Sequence, residues 1–134
     1  MFCIITFGST MDQTFRNTEK LKSKKQIEML FKDGKAITAF PLRLVYRETS
    51  FEDQTKIKVG VSVSKRHFKK AVDRNRIKRL LREGYRLNKA HYFNNIPSSY
   101  TFMILYIGKT GTTFDQVNKT SKILFKKFLD KIQK

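Results

Sequence analysis

The side chains of this sequence that could do chemistry are mostly cations, and they are concentrated in one segment. Between Lys65 and Lys89 there are eleven Lys/Arg and two acids, Asp73 and Glu83, a net charge of +9. That is half of the chain's net charge of +18 in less than a fifth of its length. Such a density of charge predicts a surface that binds a polyanion, because arginine donates two parallel hydrogen bonds to a phosphate and lysine adds a point charge.

The sequence shows no set of groups that would cleave a bond without a partner. Its carboxylates do not cluster as a two-metal hydrolase requires, and no nucleophile is paired with a base. His67 and His91, the two histidines, have no metal-ligand or acid–base spacing, so we interpret them as ordinary surface or loop residues. Asp73 is expected to cap a helix. The pattern favours a binding protein over a self-sufficient enzyme.

The composition indicates which class of molecule the chain binds. With 134 residues the chain fits one domain, and 29 Lys/Arg against 11 Asp/Glu give a pI of about 10.2. A nucleic acid is the best match for this charge. A membrane surface is the alternative, but it would favour Trp, which the sequence lacks, and no apolar run approaches the roughly 20 residues of a membrane span.

The N-terminal residues are expected to lie outside the domain. Met1–Thr10 lacks the basic start and the long apolar run of a signal peptide. We therefore expect residues 1–19 to be a flexible leader, and residues 20–134 to form the domain. The single cysteine, Cys3, excludes a disulfide scaffold and suits the reducing cytosol, which predicts a cytoplasmic protein.

Hydrophobic periodicity predicts one α+β domain of order α-β-β-β-α-β-α, a four-stranded sheet with helices packed on it. The predicted elements are a helix between a Ser23–Gln26 capping box and Gly34, a short strand over 36–39, a strand with Leu42, Leu44 and Tyr46 buried, a strand over Ile57–Val63, a basic helix from about Val72 to Lys89, a strand over Phe102–Ile107, and a final helix capped by Thr113 and Gln116. Pro41 marks a strand start or a sheet edge.

On a helical wheel the basic helix has two faces. The apolar face consists of Ile77, Leu80, Leu81, Gly84 and Leu87, and Gly84 is expected to let the helix lie close to the sheet. The cationic face consists of Arg74, Lys78, Arg79, Arg82 and Arg86, with Asn75 at its centre.

The strand and basic helix resemble a unit of the bacterial ribonuclease P protein family. The family pattern is an apolar strand ending in Ser-Lys-Lys or similar, then Ala-Val, one residue, Arg-Asn-Arg and a Lys-Arg-x-x-Arg continuation. The matching segments here are Ser64-Lys65-Arg66, Ala71-Val72-Asp73, Arg74-Asn75-Arg76, Lys78-Arg79-Leu80-Leu81-Arg82 and, upstream, Leu30-Phe31-Lys32-x-Gly34. Two positions depart from the pattern: Phe68-Lys69-Lys70 replaces the common Gly-Asn, and Ile27 stands where the first helix often has Phe.

The resemblance implies an accessory subunit of an endoribonuclease. Such a protein binds ribonuclease P RNA and helps that catalytic RNA remove the 5′ leader of precursor tRNA. The RNA is expected to carry the active site and its Mg²⁺, and the protein no catalytic residues. No membrane and no obligate protein partner are expected. The family fold also implies that the basic helix joins two parallel strands by a left-handed crossover, against the usual handedness.

The resemblance also implies two contact surfaces. The residues implied to contact the catalytic RNA are Ser64, Lys65, Arg66, Lys69, Lys70, Arg74, Asn75, Arg76, Lys78, Arg79, Arg82 and Arg86. The precursor-tRNA leader is expected in a cleft between the sheet and the first helix, at Ile27, Phe31 and Tyr46, because single-stranded RNA stacks on rings beside positive charge. Two alternatives stay open: a ribosome-associated or general RNA-binding protein, and a metal-dependent nuclease, which would need an acidic cluster.

Overall fold

The elements of the computed structural model follow one another in the predicted order. The described residues are 20–21, 24–49, 56–93, 96 and 98–132. The elements are α1 (Lys24–Asp33), β1 (Lys35–Ala39), β2 (Leu42–Glu48), β3 (Ile57–Val63), α2 (Ala71–Phe93), β4 (Tyr100–Tyr106) and α3 (Phe114–Ile132). The α+β class is confirmed, whereas the predicted leader over residues 1–19 and the Ser23 cap lie outside the described residues.

The sheet is mixed and has the strand order β1-β2-β4-β3. β2 pairs antiparallel with β1 and with β4, and β3 pairs parallel with β4, with Val59 and Tyr46 both opposite Phe102. The parallel pairing of the two strands joined by α2 is as predicted, and the left-handed sense of that connection stays a prediction. Because β2 is an interior strand, Pro41 marks its start and not a sheet edge.

The two faces of the sheet carry different helices. On one face, α2 and α3 cover a large core in which Phe102, Phe125 and Phe128 are fully buried. On the other face, α1 covers a smaller cluster of Leu30, Val45 and Met103, joined by Leu21. β4 lies between both layers, which explains why its sequence is apolar without alternation.

Gly34 ends α1 as predicted. Its N–H donates to the Leu30 carbonyl at 2.8 Å. A Cβ at this position would collide with the same carbonyl and would lie 3.1 Å from the Tyr46 carbonyl oxygen, so the close approach of the chain to β2 requires glycine.

α2 differs from its prediction in length and in its packing partner. It ends at Phe93 and not near Lys89, because Phe93 is fully buried in the core. The expectation that Gly84 faces the sheet is wrong: a Cβ on Gly84 would lie 2.9 Å from Ser121 Oγ and 3.3 Å from Val117 Cγ1, both on α3. The helical wheel located the small residue but not the element that packs against it.

The last helix follows the sequence pattern closely. The Gln116 N–H donates to Thr113 Oγ1 at 3.3 Å, which is the predicted cap. Within the described part of the chain, no helix has the length and apolar character needed to cross a membrane.

Candidate nucleic-acid interface

α2 turns a cationic face away from the core. Its inner face packs on β3 and α3 through Ile77, Leu81 and Tyr85. The predicted RNA-contacting residues are exposed or half-buried on the outer face: Asn75, Arg76, Arg79 and Arg82 are exposed, and Arg74, Lys78 and Arg86 are half-buried. The helix therefore presents the cationic surface that the sequence predicted.

The loop before α2 is held by the helix itself. Arg74 Nη1 donates to the carbonyls of Phe68 and Lys69, both at 2.9 Å. Phe68 is buried, with its ring centroid 5.8 Å from that of Tyr106. This core anchor occupies the segment where the family pattern has Gly-Asn. Arg74 thus positions the loop in addition to carrying charge, a role that the sequence pattern did not show.

The other loop residues point outward from this anchor. Ser64 Oγ accepts a hydrogen bond from the Arg66 N–H at 3.2 Å, which closes the turn after β3. The loop cations Lys65, Arg66, Lys69 and Lys70 are all exposed. On the helix, Arg76 Nη1 donates to the Thr112 carbonyl at 3.3 Å and so connects α2 to the segment after β4.

Arg86 differs from the other arginines of α2 because it forms an ion pair with an acid. Its Nε and Nη2 donate to Glu83 Oε1 and Oε2 at 3.1 and 2.8 Å. This hydrogen-bonded contact holds the pKa of the Glu83 carboxyl below its ordinary value. Part of the charge of Arg86 is consequently neutralised within the protein.

The cationic face continues into a groove that leads to α1. A shallow cleft of about 370 Å³ is lined by Arg79, Arg82, Glu83 and Arg86 together with Lys20. A second cleft of about 280 Å³ shares Lys20 and Arg82 and reaches Ile27. Lys20 is placed here by backbone pairing with β3, since the Leu21 N–H donates to the Val59 carbonyl at 2.9 Å. Sequence reasoning missed Lys20, whose only signal was a polar, basic stretch before α1.

The structure separates the three residues predicted to contact a leader. Ile27 is half-buried in the groove beneath α1, and Phe31, one turn further along α1, is 54% exposed. Tyr46 is only 6% exposed. Its ring lies on the opposite face of the sheet, edge-on to Phe128 at 4.9 Å and to Tyr100 at 6.3 Å.

Burial raises the pKa of the Tyr46 phenol, as expected for a ring in the core. Tyr46 nevertheless lines a cleft of about 300 Å³ together with Tyr100 and Asp33, the last residue of α1. Ile27 and Phe31 do not line this cleft. The exposed ring on α1 is that of Phe31.

Among the described residues, no group of three or more His, Cys, Asp or Glu could hold a metal ion. His67 and His91 are exposed, and His91 contacts the ring of Tyr92 at a centroid distance of 4.7 Å.

The fold and this surface together define a basic α+β domain with a cationic face on a helix that packs against the core. The comparisons with known proteins then identify its family. The family model for ribonuclease P matches residues 15–129, and the chain belongs to this family.

Several relatives carry the same family name. A ribonuclease P protein component from Porphyromonas gingivalis is 46% identical over 79 residues, which cover 59% of this chain and 57% of that protein. The match thus spans little more than half of that relative. One from Clostridioides difficile is 32% identical over 113 residues, 84% of this chain and 94% of the relative.

Solved structures show the same fold. The RNase P protein from Thermotoga maritima matches with a TM-score of 0.66 and 24% identity, over 81% of this chain and 96% of that one. A Staphylococcus aureus RNase P protein matches with a TM-score of 0.65 and 20% identity, over 81% and 93% of the two chains. At these identities the likeness concerns the fold alone.

Proposed function

We propose that this chain is the protein subunit of a ribonuclease P ribonucleoprotein. It binds the catalytic RNA and the 5′ leader of precursor tRNA, and it promotes the endonucleolytic removal of that leader. The observation that carries the proposal is the outward cationic face of α2, where Arg79 and Arg82 are exposed on a helix fixed by core packing. Membership of the family supports the same reading.

The side chains of the cationic face divide into two roles. Lys78, Arg79 and Arg82, with the loop cations between Ser64 and Lys70, contact phosphates of the catalytic RNA. Arg74 and Arg76 keep the adjacent loops in place through their carbonyl contacts. Neutralising phosphates releases counterions, so the affinity falls steeply as salt rises.

The leader follows the groove from α2 towards α1. Lys20 and Arg82 line both clefts of this groove and offer charge to the leader backbone. Phe31 offers an exposed ring on which a base can stack. Tyr46 is buried in the core and does not line either cleft of this groove.

Mg²⁺ in this proposal belongs to the RNA. The protein supplies charge through the cationic face of α2, and the RNA supplies the oxygen ligands that Mg²⁺ prefers. The ribonucleoprotein acts in the cytoplasm, in keeping with the single cysteine of the chain.

Sequencing the RNAs that crosslink to the tagged protein in cells tests this assignment against a general RNA-binding role. We expect the catalytic RNA and precursor tRNAs to dominate. An Arg79→Glu/Arg82→Glu variant, whose changes lie on the exposed face, is the matched control and should lose both. Crosslinks mainly to ribosomal RNA would contradict the proposal and favour a ribosome-associated protein.

A further inference from the structure

The turn between β1 and β2 carries an aromatic side chain that the core does not use. Phe40 and Pro41 form a two-residue turn, since Ala39 pairs directly with Leu42. Such positions usually hold Gly, Pro, Asn, Asp or Ser. Phe40 is instead a large aromatic residue, and it is 73% exposed. A ring in this position is available to a partner.

Phe40 lies at the same end of the sheet as two other loops. The Ile107 N–H donates to the Pro41 carbonyl at 2.8 Å, so the turn adjoins the end of β4. Tyr106 at the end of β4 is in register with Val63 at the end of β3. Neighbouring strands are about 4.8 Å apart. The Phe40 turn is therefore roughly 10–15 Å from the loop that leads into α2.

The charge at this end of the sheet indicates which class of partner the ring would contact. Residues 64–70 and 107–113, which form the two loops, contain no Asp or Glu. Their cations are Lys65, Arg66, Lys69, Lys70 and Lys109, all exposed. A single exposed apolar side chain needs no explanation by itself. An exposed ring at the same end of the sheet as cations that no acid in these loops offsets suits single-stranded nucleic acid, whose bases stack on rings and whose phosphates need positive charge nearby.

We propose that Phe40 is a stacking platform for an unpaired base of the catalytic RNA, with the neighbouring phosphates held by the loop cations. The inference rests on the proposed function and adds to it a contact outside the basic helix. The catalytic RNA is chosen over the leader because the loop cations continue into the cationic face of α2, whereas the leader groove lies beneath α1.

The test is binding of the full chain to a transcript of the catalytic RNA, without tRNA. Phe40→Ala should weaken binding by roughly 5- to 150-fold, the worth of one stacked base. Phe40→Tyr should bind within about twofold of wild type, and Phe40→Leu should behave like Phe40→Ala because it lacks a planar ring. Ile123→Ala, at another exposed apolar position (46% exposed), is the matched control and should bind as wild type does.

The results distinguish this inference from the proposed function. If Arg79→Ala/Arg82→Ala loses affinity while Phe40→Ala does not, the stacking contact is refuted and the ribonucleoprotein role stands. If the wild-type chain itself does not bind the RNA, both are refuted. Phe40→Leu binding like wild type would also refute stacking. A benzoylphenylalanine at position 40 should crosslink to an unpaired nucleotide, and a crosslink only to a paired helix would contradict the inference.

Discussion

Two arginines one turn apart on α2 differ in how much charge they can offer to RNA. Arg86 is held by Glu83, whereas Arg82 is exposed and lines both clefts of the groove. We expect Arg82→Ala to flatten the slope of log affinity against log salt by about one unit, and Arg86→Ala to flatten it by less. Binding to the catalytic RNA at several salt concentrations measures both slopes.

Lys122→Ala is the control for this comparison, since it removes an exposed cation from α3. It should leave the slope unchanged. If Lys122→Ala and Arg82→Ala flatten the slope equally, the cations contribute by number alone and α2 is not a dedicated contact surface.

Glu83 itself should weaken RNA binding in the wild-type protein. Glu83→Gln removes an acid from the cationic surface and releases Arg86 from its ion pair. A half-buried surface pair of this kind contributes little to stability, so the protein should stay folded. It should bind RNA about two- to fivefold more tightly, because the cationic face gains net positive charge. The same titration at fixed salt checks this. Weaker binding would show that Glu83 orients Arg86 towards the RNA.

Tyr46 and Phe31 should separate a core role from a binding role. Tyr46→Ala removes a ring that is 6% exposed and should cost about 3–5 kcal/mol of unfolding free energy. Phe31→Ala removes a ring that is 54% exposed, so stability should change little while binding of precursor tRNA weakens relative to mature tRNA. Urea unfolding and paired binding assays provide the two readouts. If Tyr46→Ala weakened binding of precursor tRNA without lowering stability, Tyr46 would be a leader contact and not a core residue.

The packing of the Tyr46 ring shows what sequence reasoning could not reach at the scale of single residues. Alternation along β2 correctly grouped Leu42, Leu44 and Tyr46 on one face, because strand side chains point alternately to the two sides. Alternation does not say which helix covers which face, and α3, distant in the sequence, covers this one.

At the scale of elements, the site depends on how closely α2 packs on α3. Gly84→Leu would place a side chain where a Cβ is already 2.9 Å from Ser121 Oγ, and overpacking of this kind typically costs about 1–3 kcal/mol. Arg79→Leu adds the same side chain to the exposed face of the same helix and is the matched control. Unfolding free energies should fall for Gly84→Leu and not for Arg79→Leu. Equal stability would mean that the helices are not in close contact there.

Element types and order could be predicted because each segment has a clear period or cap, such as the Thr113 cap of α3. Periodicity could not predict which elements pack against one another. The sequence contains the small residue Gly84, but Ser121 and Val117 lie 33 or more residues further along, and only the fold brings them together. The parallel pairing of β3 and β4 came from the family resemblance and is confirmed.

For the molecule as a whole, the net charge of +18 determines how the proposed function would operate. A catalytic RNA and a precursor tRNA repel each other, and Mg²⁺ screens that repulsion. A cationic protein placed where the two RNAs meet supplies part of the same screening. The protein should therefore matter most when Mg²⁺ is scarce, and its benefit should shrink as Mg²⁺ rises.

Cleavage of a precursor tRNA across a Mg²⁺ series, with protein alone, catalytic RNA alone and both together, tests the accessory role most directly. We predict no cleavage by the protein alone at any Mg²⁺ concentration. We predict a higher rate for the pair than for the RNA alone at low Mg²⁺, a gain that Arg79→Ala/Arg82→Ala should reduce. Site-specific cleavage by the purified protein alone, or no gain at low Mg²⁺, would contradict the account.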